Sequence, residues 1–207
     1  ESRFQIYAII QQSFNLVDSK APAKKDAVLV GHSMGGIIAR LLVSDADLTP
    51  AAMKLLPNRR AQQFKNDPLF KSRLDIQPIP NFSRAIFLAA PHRGTEFADR
   101  WFTLAARKVI RLPGAFLGAL TDVIQSSDPD LQAFIKDVDN GLIQNGPSDL
   151  SKNSNFTRLT KNVVPYKGMK FHSIMGNATK SDDINIITDD VVPYTSAHLD
   201  GALSEKI

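Results

Sequence analysis

Two periods of apolar residues organise the chain. Over residues 4–17, Ile6, Ile10, Phe14 and Val17 share one helical face while Gln5, Gln11, Gln12 and Asn15 take the others, which predicts an amphipathic helix packed on a sheet. A polar, proline-containing connection at 20–26 leads into Ala27-Val28-Leu29-Val30, four apolar residues that read as a buried strand. After Gly31-His32-Ser33, apolar positions recur at 34, 37, 38, 41 and 42, which is helical spacing. Residues 45–82 loosen: prolines at 50, 57, 68, 78 and 80 exclude long elements, leaving short helical pieces at 51–56 and 59–65. Arg84 to Ala90 is the next buried strand, ended by Pro91-His92-Arg93-Gly94-Thr95.

Further along, Trp101, Leu104, Ala105, Lys108, Val109 and Leu112 predict one helix and Phe116, Leu120, Val123 and Ile124 a second. Asp128-Pro129 is a cap and first-turn pair for a third helix carrying Leu131, Phe134, Ile135 and Val138. Residues 145–162 are polar loop with one short helix at 156–159, 170–176 read as a third strand ending in glycine, and 177–190 form an aspartate-rich loop. Helix, strand, turn and helix in succession are the alternation of an α/β fold, a parallel sheet flanked by helices. The expected organisation is a single domain, 1–207: a core from 1–44, 83–96 and 166–207, an excursion at 45–82, and a helical cap or lid insertion at about 97–165.

Composition narrows the picture only a little. A chain of 207 residues that is 43% hydrophobic and 22% charged is ordinary for one globular domain. The net charge of +4 comes from scattered basic residues rather than a stripe interleaved with aromatics, so no nucleic-acid partner is expected; a transient contact with an anionic membrane surface is compatible with the charge. With no cysteine there is no disulfide, thiol nucleophile or thiolate metal site, and no metal or organic cofactor is called for. The compartment stays open.

Candidate chemistry lies at the strand-to-helix corner. Gly31-His32-Ser33-Met34-Gly35 has the form Gly-x-Ser-x-Gly between an apolar strand and an amphipathic helix, the setting in which a serine hydroxyl is projected outward as a nucleophile. Gly31 and Gly35 are expected to remove Cβ atoms that would collide at the turn, and the Met34 amide, at the helix start, is placed to donate to an oxyanion. A serine needs a histidine to take its proton, and the histidine needs a carboxylate to orient it. Asp189 and Asp190 are the first choices of acid, with Asp182 and Asp183 behind them. His92 and Arg93, past the carboxyl end of a parallel strand, are expected near the site mouth.

Gly31-His32-Ser33-Met34-Gly35-Gly36, Ala89-Ala90-Pro91-His92-Arg93-Gly94-Thr95, and Asp189-Asp190-Val191-Val192-Pro193-Tyr194 with Ser196-Ala197-His198-Leu199 together resemble bacterial α/β-hydrolases of the lipase/esterase type. They are similar in particular to triacylglycerol lipases and to GPI-inositol-deacylase-like proteins. The resemblance implies a partial α/β-hydrolase fold, Ser33 as nucleophile and Asp189 as acid; Asp190 falls where such relatives commonly carry glycine. It also implies a carboxylic-ester hydrolase acting on a small-molecule or lipid ester.

The four histidines leave the base unassigned. His32 sits on the elbow itself, His92 and His172 precede the acid, and His198 resembles a non-catalytic histidine of the Ser-Ala-His-Leu segment, the base of relatives coming after one more short strand. Leu203 to Ile207 looks like the approach to that strand. The expectation is therefore a fragment, cut at both ends, with its catalytic histidine beyond residue 207, its second oxyanion donor before residue 1, and little activity alone. Acyl transfer or amide hydrolysis by the same nucleophile, and a non-catalytic binding domain on the same fold, are the competing readings.

Overall fold

The computed structural model describes residues 2–96 and 148–207. Four strands form one parallel sheet in the order β1 (Ala27–His32), β4 (Phe82–Leu88), β5 (Lys170–Ile174), β6 (Ser204–Lys206). The register runs Val30↔Ile86↔His172↔Ser204 across the sheet and carries His32 opposite Leu88. All carboxyl ends therefore lie on one edge.

Helix α1 (Ser2–Leu16) lays Ile6, Tyr7, Ile10 and Phe14 on the main core, where the Phe14 ring meets Phe82 edge-on at 5.5 Å. Helix α2 (Met34–Leu42) follows β1 after a single residue and buries Ile37, Ala39, Leu41 and Leu42. Of these, Ala39 and Leu42 join Phe82, Ala85, Phe87, Phe171 and Leu199 at the centre of the molecule.

The strand at 27–30 is half-open rather than buried on both faces. Ala27 and Leu29 pack on the core shared with α1 and α2, whereas Val28 and Val30 are 50% and 56% exposed. β1 is the edge strand of the described sheet, and Val28, Val30 and His32 are exposed on its second face.

The excursion is more regular than its prolines predict. A two-residue antiparallel ribbon of β2 (Ala46–Asp47) and β3 (Asp75–Ile76) encloses three one-to-two-turn helices, α3 (Thr49–Leu55), α4 (Asn58–Phe64) and α5 (Pro68–Leu74). The third falls where the prolines predict none. Asp67 caps it, its Oδ1 accepting from the amides of Leu69 at 2.8 Å and Phe70 at 3.2 Å, and Pro68 sits in the first turn where no amide is needed. A proline here starts a helix instead of stopping one.

The later elements are α6 (Asn155–Thr160), capped by Ser154, and α7 (Tyr194–Ala197). The helices expected at 101–138, and most of the cap, lie outside the described residues.

Candidate active site

β1 delivers Ser33 to the carboxyl edge of the sheet. Its amide donates to Leu88 O at 2.9 Å, extending the β1–β4 ladder by one bond, and the chain then turns at once into α2. The turn forces Ser33 to φ 52°, ψ −127°, a backbone state that costs a residue with a side chain about 1–3 kcal/mol. Serine at a helix N-cap ordinarily bonds the first turn through its hydroxyl; Ser33 makes no such bond, and its Oγ has no hydrogen-bond partner among the described residues. The Met34 amide is the first of the helix, and the Met34 side chain is 38% exposed.

The crowding that demands glycine falls one residue later than expected. A Cβ on Gly31 would stand 2.6 Å from Gly36 Cα and 2.7 Å from Ala39 Cβ, and one on Gly36 would stand 2.4 Å from Ala90 Cβ, whereas a Cβ on Gly35 would meet nothing within 4 Å. Gly31 and Gly36 let α2 press onto the ends of β1 and β4; Gly35 has open space beside it. The Gly35-Gly36 doublet is the visible signal, but only packing tells which of the two is confined.

Asp189 lies in the loop after β5, two strands across from the elbow. Its Oδ1 accepts from the amides of Val191 at 3.0 Å and Val192 at 2.6 Å, which fixes the carboxylate and leaves Oδ2 unengaged by protein donors among the described residues. Gly176, just past β5, gives the room: a Cβ there would lie 2.8 Å from Asp189 Cβ. Asp190 has φ 74°, the left-handed region that favours glycine. It therefore occupies a glycine-type turn position and Asp189 the position with an organised carboxylate.

The histidines scatter. His32 is exposed on the open face of β1 beside Val28 and Val30. His172 bonds Arg84 Nη1 through Nε2 and Ser204 Oγ at 2.7 Å through Nδ1. His198 has both ring nitrogens taken, Nδ1 by Glu205 Oε2 at 2.7 Å and Nε2 by Asp200 Oδ1 at 3.2 Å, with the Tyr194 ring stacked on it at 5.3 Å. Tyr194 also donates to Glu205 Oε1 at 2.7 Å, and that bond chiefly pushes its phenol up to about 12.

His92, expected near the site mouth, is 1% exposed, its ring edge-on to Phe87 at 5.0 Å. Burial, then the charges of Arg40 and Arg93, hold its pKa well below the usual histidine value, so it is neutral near pH 7. Arg93 is partly exposed and turns toward α7, where its guanidinium donates to the carbonyls of Thr195, at 3.3 Å, and His198.

Residues 4–56, which span α1, β1, the Ser33 turn and α2, match the family model of the PGAP1-like alpha/beta domain. The chain is similar to that family over this stretch. The match covers about a quarter of the chain and includes the elbow; the rest of the described sheet continues the same parallel order. Among solved structures, the mature lipase BlEst2 of Bacillus licheniformis is similar at 16% identity with a TM-score of 0.42, over 97% of this chain and 63% of that one. This chain thus spans less than two thirds of that lipase's length. No curated protein matches.

Proposed function

We propose that this α/β-hydrolase-like chain cleaves carboxylic esters of the lipase/esterase kind, with Ser33 as nucleophile, the Met34 amide as one oxyanion donor and Asp189 as the acid of the triad. The observation that carries the reading is the state of Ser33: a strained backbone at a strand-to-helix corner, with a hydroxyl that forgoes the capping bond open to it. Strain of this kind is retained where it positions a reacting group.

Ser33 Oγ adds to the ester carbonyl as a histidine takes its proton. The resulting oxyanion receives a hydrogen bond from the Met34 amide, where the first turn of α2 adds its dipole. Collapse expels the alcohol, which takes the proton back from the histidine. Water then adds to the acyl-serine by the same route and releases the acid and Ser33. The base in this scheme is a histidine other than the four in these residues. His92 is sunk in the core, the rings of His172 and His198 are bonded elsewhere, and His32 faces the open side of β1.

A fluorophosphonate probe tests the nucleophile in the full-length protein. Covalent labelling confined to Ser33, absent in Ser33→Ala, is expected together with hydrolysis of p-nitrophenyl acyl esters; an active protein unlabelled at Ser33 overturns the proposal. Product analysis with competing alcohols distinguishes hydrolysis from acyl transfer.

A further inference from the structure

Resting on that assignment of Ser33 and Asp189, we propose that the loop 91–95 is a clamp that sets the acid's position relative to the nucleophile, with Thr95 and Arg93 as positioning residues. The link is continuous. Gly36 of α2 packs directly on Ala90, the last residue before the loop. Thr95, 2% exposed, donates from Oγ1 to Val191 O at 2.7 Å. Val191 is the residue whose amide holds Asp189 Oδ1 at 3.0 Å. One peptide segment is thus gripped by the loop on its carbonyl side and grips the carboxylate on its amide side.

A second set of bonds stops the segment from rotating about that point. The buried Ser196 Oγ donates to Gly94 O at 2.5 Å, and the Arg93 amide donates to Ser196 O at 3.2 Å. The Arg93 guanidinium reaches the carbonyls of Thr195 and His198, while its 3.8 Å contact with the exposed Asp200 adds little. The loop cannot drift: His92 is sunk in the core, and Gly94, at φ 77°, lies where a Cβ would be 2.9 Å from Leu150 O. Buried bonds between neutral groups of this kind keep geometry, and a displacement of about 1 Å in a catalytic group lowers turnover by about a hundredfold.

The test uses the full-length protein, p-nitrophenyl ester turnover, and active sites titrated with fluorophosphonate. Thr95→Val keeps the volume and loses the donor; it is expected to lower kcat per titrated site about tenfold to a hundredfold with KM within about twofold. A loosened carboxylate stabilises the imidazolium less, so the acid limb of the pH–rate profile moves to lower pH. Thr95→Ser, which keeps the donor, restores most of the rate, and the core variant Ile79→Val keeps kcat per titrated site. Thr95→Val at wild-type turnover, or Thr95→Ser as impaired as Thr95→Val, overturns the clamp. If Thr95→Val does not fold, Ser196→Ala carries the same readouts with the same opposing outcomes. Ser33→Ala and Asp189→Asn are measured alongside: wild-type turnover in either overturns the underlying assignment and the clamp with it, whereas their inactivity beside an unaffected Thr95→Val overturns the clamp alone.

Discussion

Gly36 and Ala90 touch where the elbow helix crosses the end of the neighbouring strand, so closely that a Cβ on Gly36 would lie 2.4 Å from that of Ala90. Neither side can yield, since one is helix backbone and the other a methyl on a buried turn. Gly36→Ala is expected to destabilise by about 1–3 kcal/mol in urea denaturation. Ala90→Gly in the same chain recovers part of the loss, because it removes the atom the new methyl strikes. Gly35→Ala has open space and a helical backbone, and is expected to gain about 0.5–1 kcal/mol. Equal effects at the two glycines would contradict this packing.

Ser33 holds a positive φ that glycine adopts freely. Ser33→Gly is expected to raise stability by about 1 kcal/mol while removing all fluorophosphonate labelling. A destabilised Ser33→Gly would mean that the turn is not strained.

Asp189 and Asp190 separate by substitution. Asp190→Gly relieves the φ of 74° and is expected to leave turnover intact with stability unchanged or raised by about 1 kcal/mol. Asp189→Asn keeps the shape but not the charge, and is expected to lower kcat by about a thousandfold or more, as loss of a triad acid does. Steady-state kinetics on both variants decides between the two aspartates.

His92 makes stability depend on pH in a defined sense. Burial, reinforced by Arg40 and Arg93, depresses its folded pKa well below the unfolded value of about 6.5, so only the unfolded chain binds the proton as pH falls past that point. Its contribution is fully present above about pH 6.5 and is lost on acidification toward the folded pKa, with a slope of at most about 1.4 kcal/mol per pH unit. Urea midpoints between pH 7.5 and 4.5 should therefore fall less steeply in His92→Gln than in the parent. Parallel profiles would place the proton uptake in other groups.

The strands β1, β4 and β5, the helices α1 and α2, and the turn at Ser33 are legible in the chain because each is written in local periodicity or in a short run of residues with one mechanical use. The run Ala27-Val28-Leu29-Val30 shows the limit: four apolar residues are consistent with a strand buried on both faces, but the neighbours on each face decide exposure, and Val28 and Val30 lie open. The same holds for Asp67-Pro68, whose capping signal equals that of Asp128-Pro129 yet is hidden among the surrounding prolines.

What the sequence alone determined is thus the strand-to-helix corner at Ser33, since its strain and projection follow from five consecutive residues. Tertiary structure alone decided which glycine is confined, which aspartate sits in the left-handed turn, that His92 is a core residue, and that Thr95 holds Val191, 96 positions away in sequence. Those outcomes depend on contacts between segments that the sheet brings together, and no local pattern encodes them.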